Sequence, residues 1–325
     1  MGAVTTSAPT VPATQPSWTP LRWTRPIYWA NLVAQTGIVV TGGLVRLTGS
    51  GLGCPTWPEC TSGSLIPTAV QEESWHKYIE FGNRLLTFVL GVIAIATLVV
   101  ALVNSRRLKR AGCTGRPILV ALAAAGLLGI LAQAVLGGIT VRTGLNPATV
   151  AAHFLVSMAL IAAAVVLLYR DGEPGDQPVV ALVAPAVRVM SWVLVVDAAL
   201  VVVLGTVVTG SGPHSGDART TVRFGIDPRT ISWLHADAVL LFVGLTAGML
   251  LALHVAQGPR RARNTAWWLV GVAVVQGMIG YTQYFTGVPW LLVVIHILGA
   301  CLIWILVLRL HLSLRARGVR QDAVD

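Results

Sequence analysis

The sequence predicts an all-α membrane protein, with eight transmembrane helices arranged as two pseudo-symmetric four-helix bundles. Three observations carry this prediction. Hydrophobic residues make up 55% of the 325-residue chain and charged residues 11%, against roughly 25% charged in a soluble domain. Mostly apolar runs near 27–46, 84–103, 117–141, 148–169, 188–209, 231–254, 265–285 and 289–310 each approach or exceed the roughly 20 residues needed to cross a bilayer. The segments Gln133 to His153 and Gln276 to His296 repeat one another without a gap, matching at Gln133/Gln276, Gly137/Gly280, Thr143/Thr286, Gly144/Gly287, Val150/Val293 and His153/His296.

In chain order, residues 1–26 are rich in Thr, Pro, Ser and Ala and have no signal-peptide pattern. They read as a flexible cytoplasmic tail. Residues 27–170 form the first bundle, 171–187 a cytoplasmic linker, 188–311 the second bundle and 312–325 a cytoplasmic tail. Orientation follows from the basic residues: Arg106, Arg107, Lys109, Arg110 and Arg116 in one connection, Arg260, Arg261 and Arg263 in another, and Arg315, Arg317 and Arg320 in the tail. The positive-inside rule puts these on the cytoplasmic face of the plasma membrane, with both termini there. The formal charge of +10 therefore reports topology and does not point to nucleic-acid binding.

The two longest outward connections, about 47–75 and 210–230, begin alike with Thr48-Gly49-Ser50-Gly51 and Thr209-Gly210-Ser211-Gly212. Their offset differs from that of the hairpins, as expected of duplicated halves whose loops have diverged. Such a duplication gives each half a related site. Cys54 and Cys60 close a short Pro-containing loop on the oxidising side. A disulfide, a redox-active dithiol and two unpaired thiols all fit the sequence there.

His214, His254 and His311 fall in loops or at helix ends and read as interfacial or solvated. His76, His153, His235 and His296 instead lie in the outward parts of helices two, four, six and eight. An ionisable residue inside a membrane span is a functional-site hypothesis by default. Two histidines per half, on different helices, suit a flat metal macrocycle held within a bundle. Zinc would want three or four clustered ligands, whereas haem iron needs only one or two axial imidazoles. Gly137 and Gly280, on the helices before His153 and His296, would let a large ring approach the backbone.

The start of helix two adds a feature found in one half alone. His76, Glu80, Asn83 and Arg84 are spaced i, i+4, i+7 and i+8 and share one helical face. A carboxylate on that face could move protons. The start of helix six keeps His235 but has no Glu on the corresponding face. The halves read as specialised, one catalytic and one holding a cofactor.

The run Thr41-Gly42-Gly43-Leu44-Val45-Arg46-Leu47-Thr48-Gly49-Ser50-Gly51-Leu52-Gly53-Cys54-Pro55-Thr56-Trp57-Pro58-Glu59-Cys60, followed by Ile79-Glu80-Phe81-Gly82-Asn83-Arg84 and the even-helix histidines, resembles the haem A synthase family over roughly residues 25–312. The resemblance implies an eight-helix enzyme that oxidises the C8 methyl of haem O to a formyl group, by successive hydroxylations and loss of water. Its product, haem A, goes to terminal oxidases of the aa3 kind. It further implies a haem B cofactor between His235 and His296, His153 as ligand to the substrate haem iron, Glu80 as the glutamate needed for activity, and Cys54 and Cys60 as the family's paired cysteines.

One position departs from the family pattern. The motif Glu-x-x-His-Arg is here Glu80-Phe81-Gly82-Asn83-Arg84, with Asn83 where the second substrate-site histidine is expected. Either His76, one turn before Glu80, replaces that ligand, or His153 holds the substrate iron alone. Arg46, Arg84 and Arg142 lie at the outward membrane edge, where bidentate pairing would suit haem propionates. The expected partners are haem O, the lipid bilayer and an electron-transfer protein, since the chain has no flavin or dinucleotide motif; a haem O synthase is a further candidate. The alternative reading is a di-haem, cytochrome b-like electron-transfer protein that leaves its haems unmodified.

Overall fold

The helices begin where the sequence supplies start signals. Proline occupies the first turn of α3 (Pro117–Arg142), α4 (Pro147–Asp171), α5 (Pro185–Ser211) and α6 (Pro228–Val255), where its missing N–H costs nothing. Asn146 and Asp227 cap α4 and α6 by accepting from the backbone N–H groups of Ala148 and Thr230. Asp227 also accepts from the Thr230 hydroxyl, and these bonds hold its carboxyl below the usual carboxylate range. The remaining helices are α1 (Thr24–Leu47), α2 (His76–Arg110), α7 (Arg260–Phe285) and α8 (Trp290–Ser313). This computed structural model describes residues 21–69, 71–214, 216–217 and 222–317. Most of the expected N-terminal tail, and Arg320 at the other end, lie outside the described residues.

Among the described residues there are eight helices, and seven of them are long and apolar enough to cross a membrane. The helix that falls short is α7. Three arginines at its start and Gln276, Tyr281, Gln283 and Tyr284 further on dilute its apolar character. The helices contact one another in two closed circuits, α1–α2–α3–α4 and α5–α6–α7–α8, with α8 and α4 forming the seam between them. Tyr28, Ile161 and Leu167 lie at the centre of one apolar core, and Leu194, Met249, Leu253 and Leu269 of the other. Trp304 of α8 packs against both cores, and its indole N–H donates to the Met158 carbonyl of α4 at 2.9 Å. The outer faces stay apolar: Phe88, Val92, Leu128, Leu240 and Trp268 are all exposed. An apolar surface of this kind is what lipid requires and water penalises. The chain is a multi-pass membrane protein.

Two details differ from the expected all-helical chain. Val179–Ala181 pairs antiparallel with Arg315–Arg317 as a small two-stranded ribbon, β1 and β2. The linker and the C-terminal tail thereby satisfy each other's backbone groups. Secondly, α2 is 35 residues long, about 50 Å. It runs well beyond its apolar span, so His76, Glu80 and Asn83 stand on one continuous helix.

The connection between α1 and α2 packs on α2 and α3. Cys54 and Cys60 are joined by a disulfide. The Gly51 N–H donates to the Gly216 carbonyl of the second loop at 2.8 Å, and the Trp57 ring lies against Gly138 of α3. Gly53 sits directly on the backbone of α2, where a Cβ would come within 2.5 Å of the His76 carbonyl oxygen. Backbone cannot move aside as a flexible side chain can. Gly53→Ala is therefore expected to lift the loop from α2 and lower stability by about 1–3 kcal/mol, read as a reduced thermal midpoint of the detergent-solubilised protein by tryptophan fluorescence.

Candidate functional site

Four polar side chains on the even-numbered helices each face a glycine on the helix before. Gly137 of α3 lies under His153 of α4, Gly205 of α5 under His235 of α6, and Gly280 of α7 under His296 of α8. A Cβ on these glycines would stand 3.4, 3.4 and 3.5 Å from the ring Cε1 atoms. The fourth pair is Gly42 of α1 facing Asn83 of α2, with the amide Nδ2 4.0 Å from where the Cβ would be. At both Gly137 and Gly280 the atom nearest an added Cβ belongs to the imidazole of the next helix.

The repeated glutamines fix the same hairpins. Gln133 donates from Nε2 to the His153 carbonyl at 2.9 Å, and Gln276 donates to the His296 carbonyl at 2.7 Å. Each histidine backbone is thus held at a set depth while its ring stays free. The Nδ1 atoms of His153 and His296 are buried without a hydrogen-bond partner, and the His235 ring lies against the Val201 backbone of α5. His235 and His296 lie near enough to interact electrostatically. No group of three or more His, Cys, Asp or Glu side chains among the described residues could hold a bare metal ion. The donor set is imidazole alone, two rings in one half and one in the other, which suits axial ligation of a macrocycle iron.

Glu80 is 6% exposed and fully engaged. Its Oε2 accepts from the Cys54 backbone N–H at 2.6 Å, and Oε1 accepts from Arg84 Nε and Nη2 at 3.1 and 2.6 Å. Arg84 also donates to the carbonyls of Cys54, Thr56 and Glu59 at 2.9, 3.1 and 3.2 Å. The disulfide loop is thus sewn to α2 by one ion pair. Arg142 donates to the Trp57 carbonyl at 3.0 Å, and its guanidinium lies over the Trp57 ring at 6.0 Å from the centroid. Arg46 donates to the His214 and Thr209 carbonyls at 2.7 and 2.9 Å. All three arginines expected to meet propionates are anchored on loop carbonyls.

His76 stands apart from the glycine seats. Its Nδ1 is 2.9 Å from the hydroxyl of Ser50, a fully buried residue, and its ring stacks on Trp75 with centroids 4.0 Å apart. Asn83 occupies a seat instead, and its Oδ1 accepts from the Thr41 hydroxyl at 2.8 Å. The histidines expected to be interfacial are each bound locally: His214 to the Val288 carbonyl, His254 to the Leu250 carbonyl and His311 to the Ser191 hydroxyl.

Comparison with known proteins supplies the family. The model of the cytochrome oxidase assembly protein family, COX15-CtaA, matches residues 25–308. The chain belongs to this family. Similar relatives include the heme A synthase of Geobacillus thermodenitrificans, 35% identical over 37% of this chain and 34% of the relative. That of Lysinibacillus sphaericus is 35% identical over 44% of each chain, and that of Sinorhizobium fredii is 26% identical over 84% of each. The first two matches span less than half of those relatives, whereas the third spans most of its length.

Two residues of interest in this COX15-CtaA chain escape a reading by motif. Thr41 orients Asn83 from the neighbouring helix, and no spacing rule links them. Asp197, in the middle of α5, is 5% exposed, with both carboxylate oxygens unpartnered among the described residues. A lone acid inside an apolar span was the signal available for it.

The Glu80–Arg84 pair carries the loop, so its loss is expected to be costly. Arg84→Ala should destabilise the protein by about 3 kcal/mol, because it leaves a buried carboxylate unpaired along with three loop carbonyls. Arg142→Ala, which removes one exposed hydrogen bond and a distant ring contact, should cost about 1 kcal/mol or less. The two thermal midpoints, measured side by side, check this order.

Proposed function

We propose that this protein is a haem A synthase, oxidising the C8 methyl of haem O to a formyl group. Membership of the COX15-CtaA family and the names of its relatives support the reading. The observation that carries it is the inequality of the two halves. One has paired imidazoles, His235 and His296, on glycine seats. The other has His153 and Asn83, beneath a loop held by Glu80 and Arg84.

The residues fit haem. Rings whose Cε1 atoms face a glycine of the preceding helix are seated closely enough to present Nε2 to an iron. His235 and His296 would hold a resident haem B, which when bound supplies a one-electron redox centre. His153 binds the iron of haem O and sets the depth of the substrate in the first half. Glu80 acts at that mouth as a proton-handling carboxylate, oriented by Arg84 and the Cys54 N–H. The disulfide loop, with Trp57 against Gly138, covers the mouth and limits water. Arg46, Arg84 and Arg142 add positive charge at the rim toward which propionates point, and His76 braces the loop beside them.

In this reading the chain crosses the plasma membrane eight times, as two pseudo-symmetric four-helix bundles at 27–170 and 188–311, with α7 the least apolar span. Both termini are cytoplasmic. Oxidising equivalents pass through a separate electron-transfer protein, and haem O arrives from the lipid or from a haem O synthase.

Pigment extraction from cells that make haem O, with and without this protein, tests the reading. Formyl-bearing haem is expected only when the protein is present. Glu80→Gln should lower its yield at least about a hundredfold while the purified protein keeps its resident haem. His235→Ala and His296→Ala should each lose that haem. Bound haem without any formyl product would favour the electron-transfer alternative.

A further inference from the structure

The seat that holds an imidazole in three places holds an amide in the fourth, and the chemistry available there follows from how that amide is fixed. The Thr41 hydroxyl donates to Asn83 Oδ1 at 2.8 Å, which engages one lone pair of the amide's single acceptor atom and sets the orientation of the amide. The remaining atom is Nδ2, directed past Gly42. An amide nitrogen has no lone pair available to a metal, so it can only donate hydrogen bonds. His76 does not occupy the seat. It lies seven residues earlier on α2, roughly 10 Å along the axis, with Nδ1 against Ser50 and its ring stacked on Trp75.

We infer that, in this chain, His153 alone ligates the iron of the substrate haem. Asn83, oriented by Thr41, presents an N–H donor to the opposite face, leaving that axial position open to a small hydrogen-bond-accepting ligand. The inference rests on the first half being the haem O site. It adds that this site is not a copy of the bis-imidazole site in the second half. The two halves share the same backbone seat and differ in what it holds, Asn83 with Thr41 beside it in one and His235 in the other. A ring at position 83 would close the face that an amide leaves open. Thr41 is the positioning residue, since without its hydroxyl the amide could turn its oxygen toward the same face.

The test uses the purified full-length protein loaded with ferric haemin as the stand-in for haem O, then titrated with fluoride, an acceptor ligand that senses nearby donors. Absorption and paramagnetic resonance spectra are expected to show one low-spin haem, from His235 and His296, and one high-spin haem that requires His153. Asn83→His should convert the high-spin component to low-spin. Asn83→Leu should leave it high-spin but weaken fluoride binding there roughly tenfold, the loss of about one charge-assisted hydrogen bond. Thr41→Val should weaken fluoride binding in the same direction, and His76→Ala should leave the spin state unchanged. The low-spin signal of the second half reports that each variant has folded. A second haem that is already low-spin in the native protein and becomes high-spin in His76→Ala would overturn the inference, as would unchanged fluoride affinity in Asn83→Leu. A second haem that survives His153→Ala would instead overturn the placement of the substrate in the first half.

Discussion

The contact on which the rest of this molecule depends is that between a polar side chain and a glycine of the preceding helix. In a bilayer no water is present to satisfy a misplaced polar group, so each must be met within the protein. A glycine leaves the neighbouring helix open to the ring, whose Cε1 would stand 3.4 or 3.5 Å from a Cβ there. The glutamine amide that reaches the histidine carbonyl then sets the register of the hairpin. Small residues and interhelical hydrogen bonds are the usual means of joining membrane helices, where burial of apolar surface offers no advantage over lipid. Here the same contacts fix the backbone of His153 and His296 and leave their Nδ1 atoms without a partner from the protein.

The second constraint is the loop at 47–75, which converts one half into something different from the other. Glu80 and Arg84 stand one turn apart on α2, and between them they hold the Cys54 N–H and three loop carbonyls. A buried ion pair contributes little to net stability when its desolvation is counted. Its value lies in fixing one geometry. Arg46 extends the arrangement across the molecule by gripping the Thr209 and His214 carbonyls, and His214 in turn reaches Val288 at the start of α8. The outward loops of both halves are thereby tied into one surface. In the proposed assignment this lets the cofactor half and the substrate half keep a constant separation.

Much of this was legible in the chain. Apolar length marked all eight helices, α7 included, although its arginines, tyrosines and glutamines leave that helix less apolar than the other seven. The gapless repeat from Gln133 to His153 and from Gln276 to His296 anticipated hairpins that are locked in the same way. The i, i+4 spacing of Glu80 and Arg84 anticipated a shared face, and their ion pair follows from it. Less was legible where a partner comes from a distant segment. Arg46, Arg84 and Arg142 donate to carbonyls of loop segments that no spacing along the chain links to them. The ribbon of Val179–Ala181 with Arg315–Arg317 joins two segments that carry no strand signal of their own.

The sequence by itself determined that this is a duplicated, helical membrane protein of the COX15-CtaA type, since hydropathy, repeat and motif are properties of order along the chain. Only the tertiary structure decided which polar group occupies each seat. His76 and Asn83 share a face of one helix, and spacing alone cannot choose between them. The choice belongs to Gly42, Thr41 and Ser50 on other elements, which draw Asn83 inward and tie His76 to the loop.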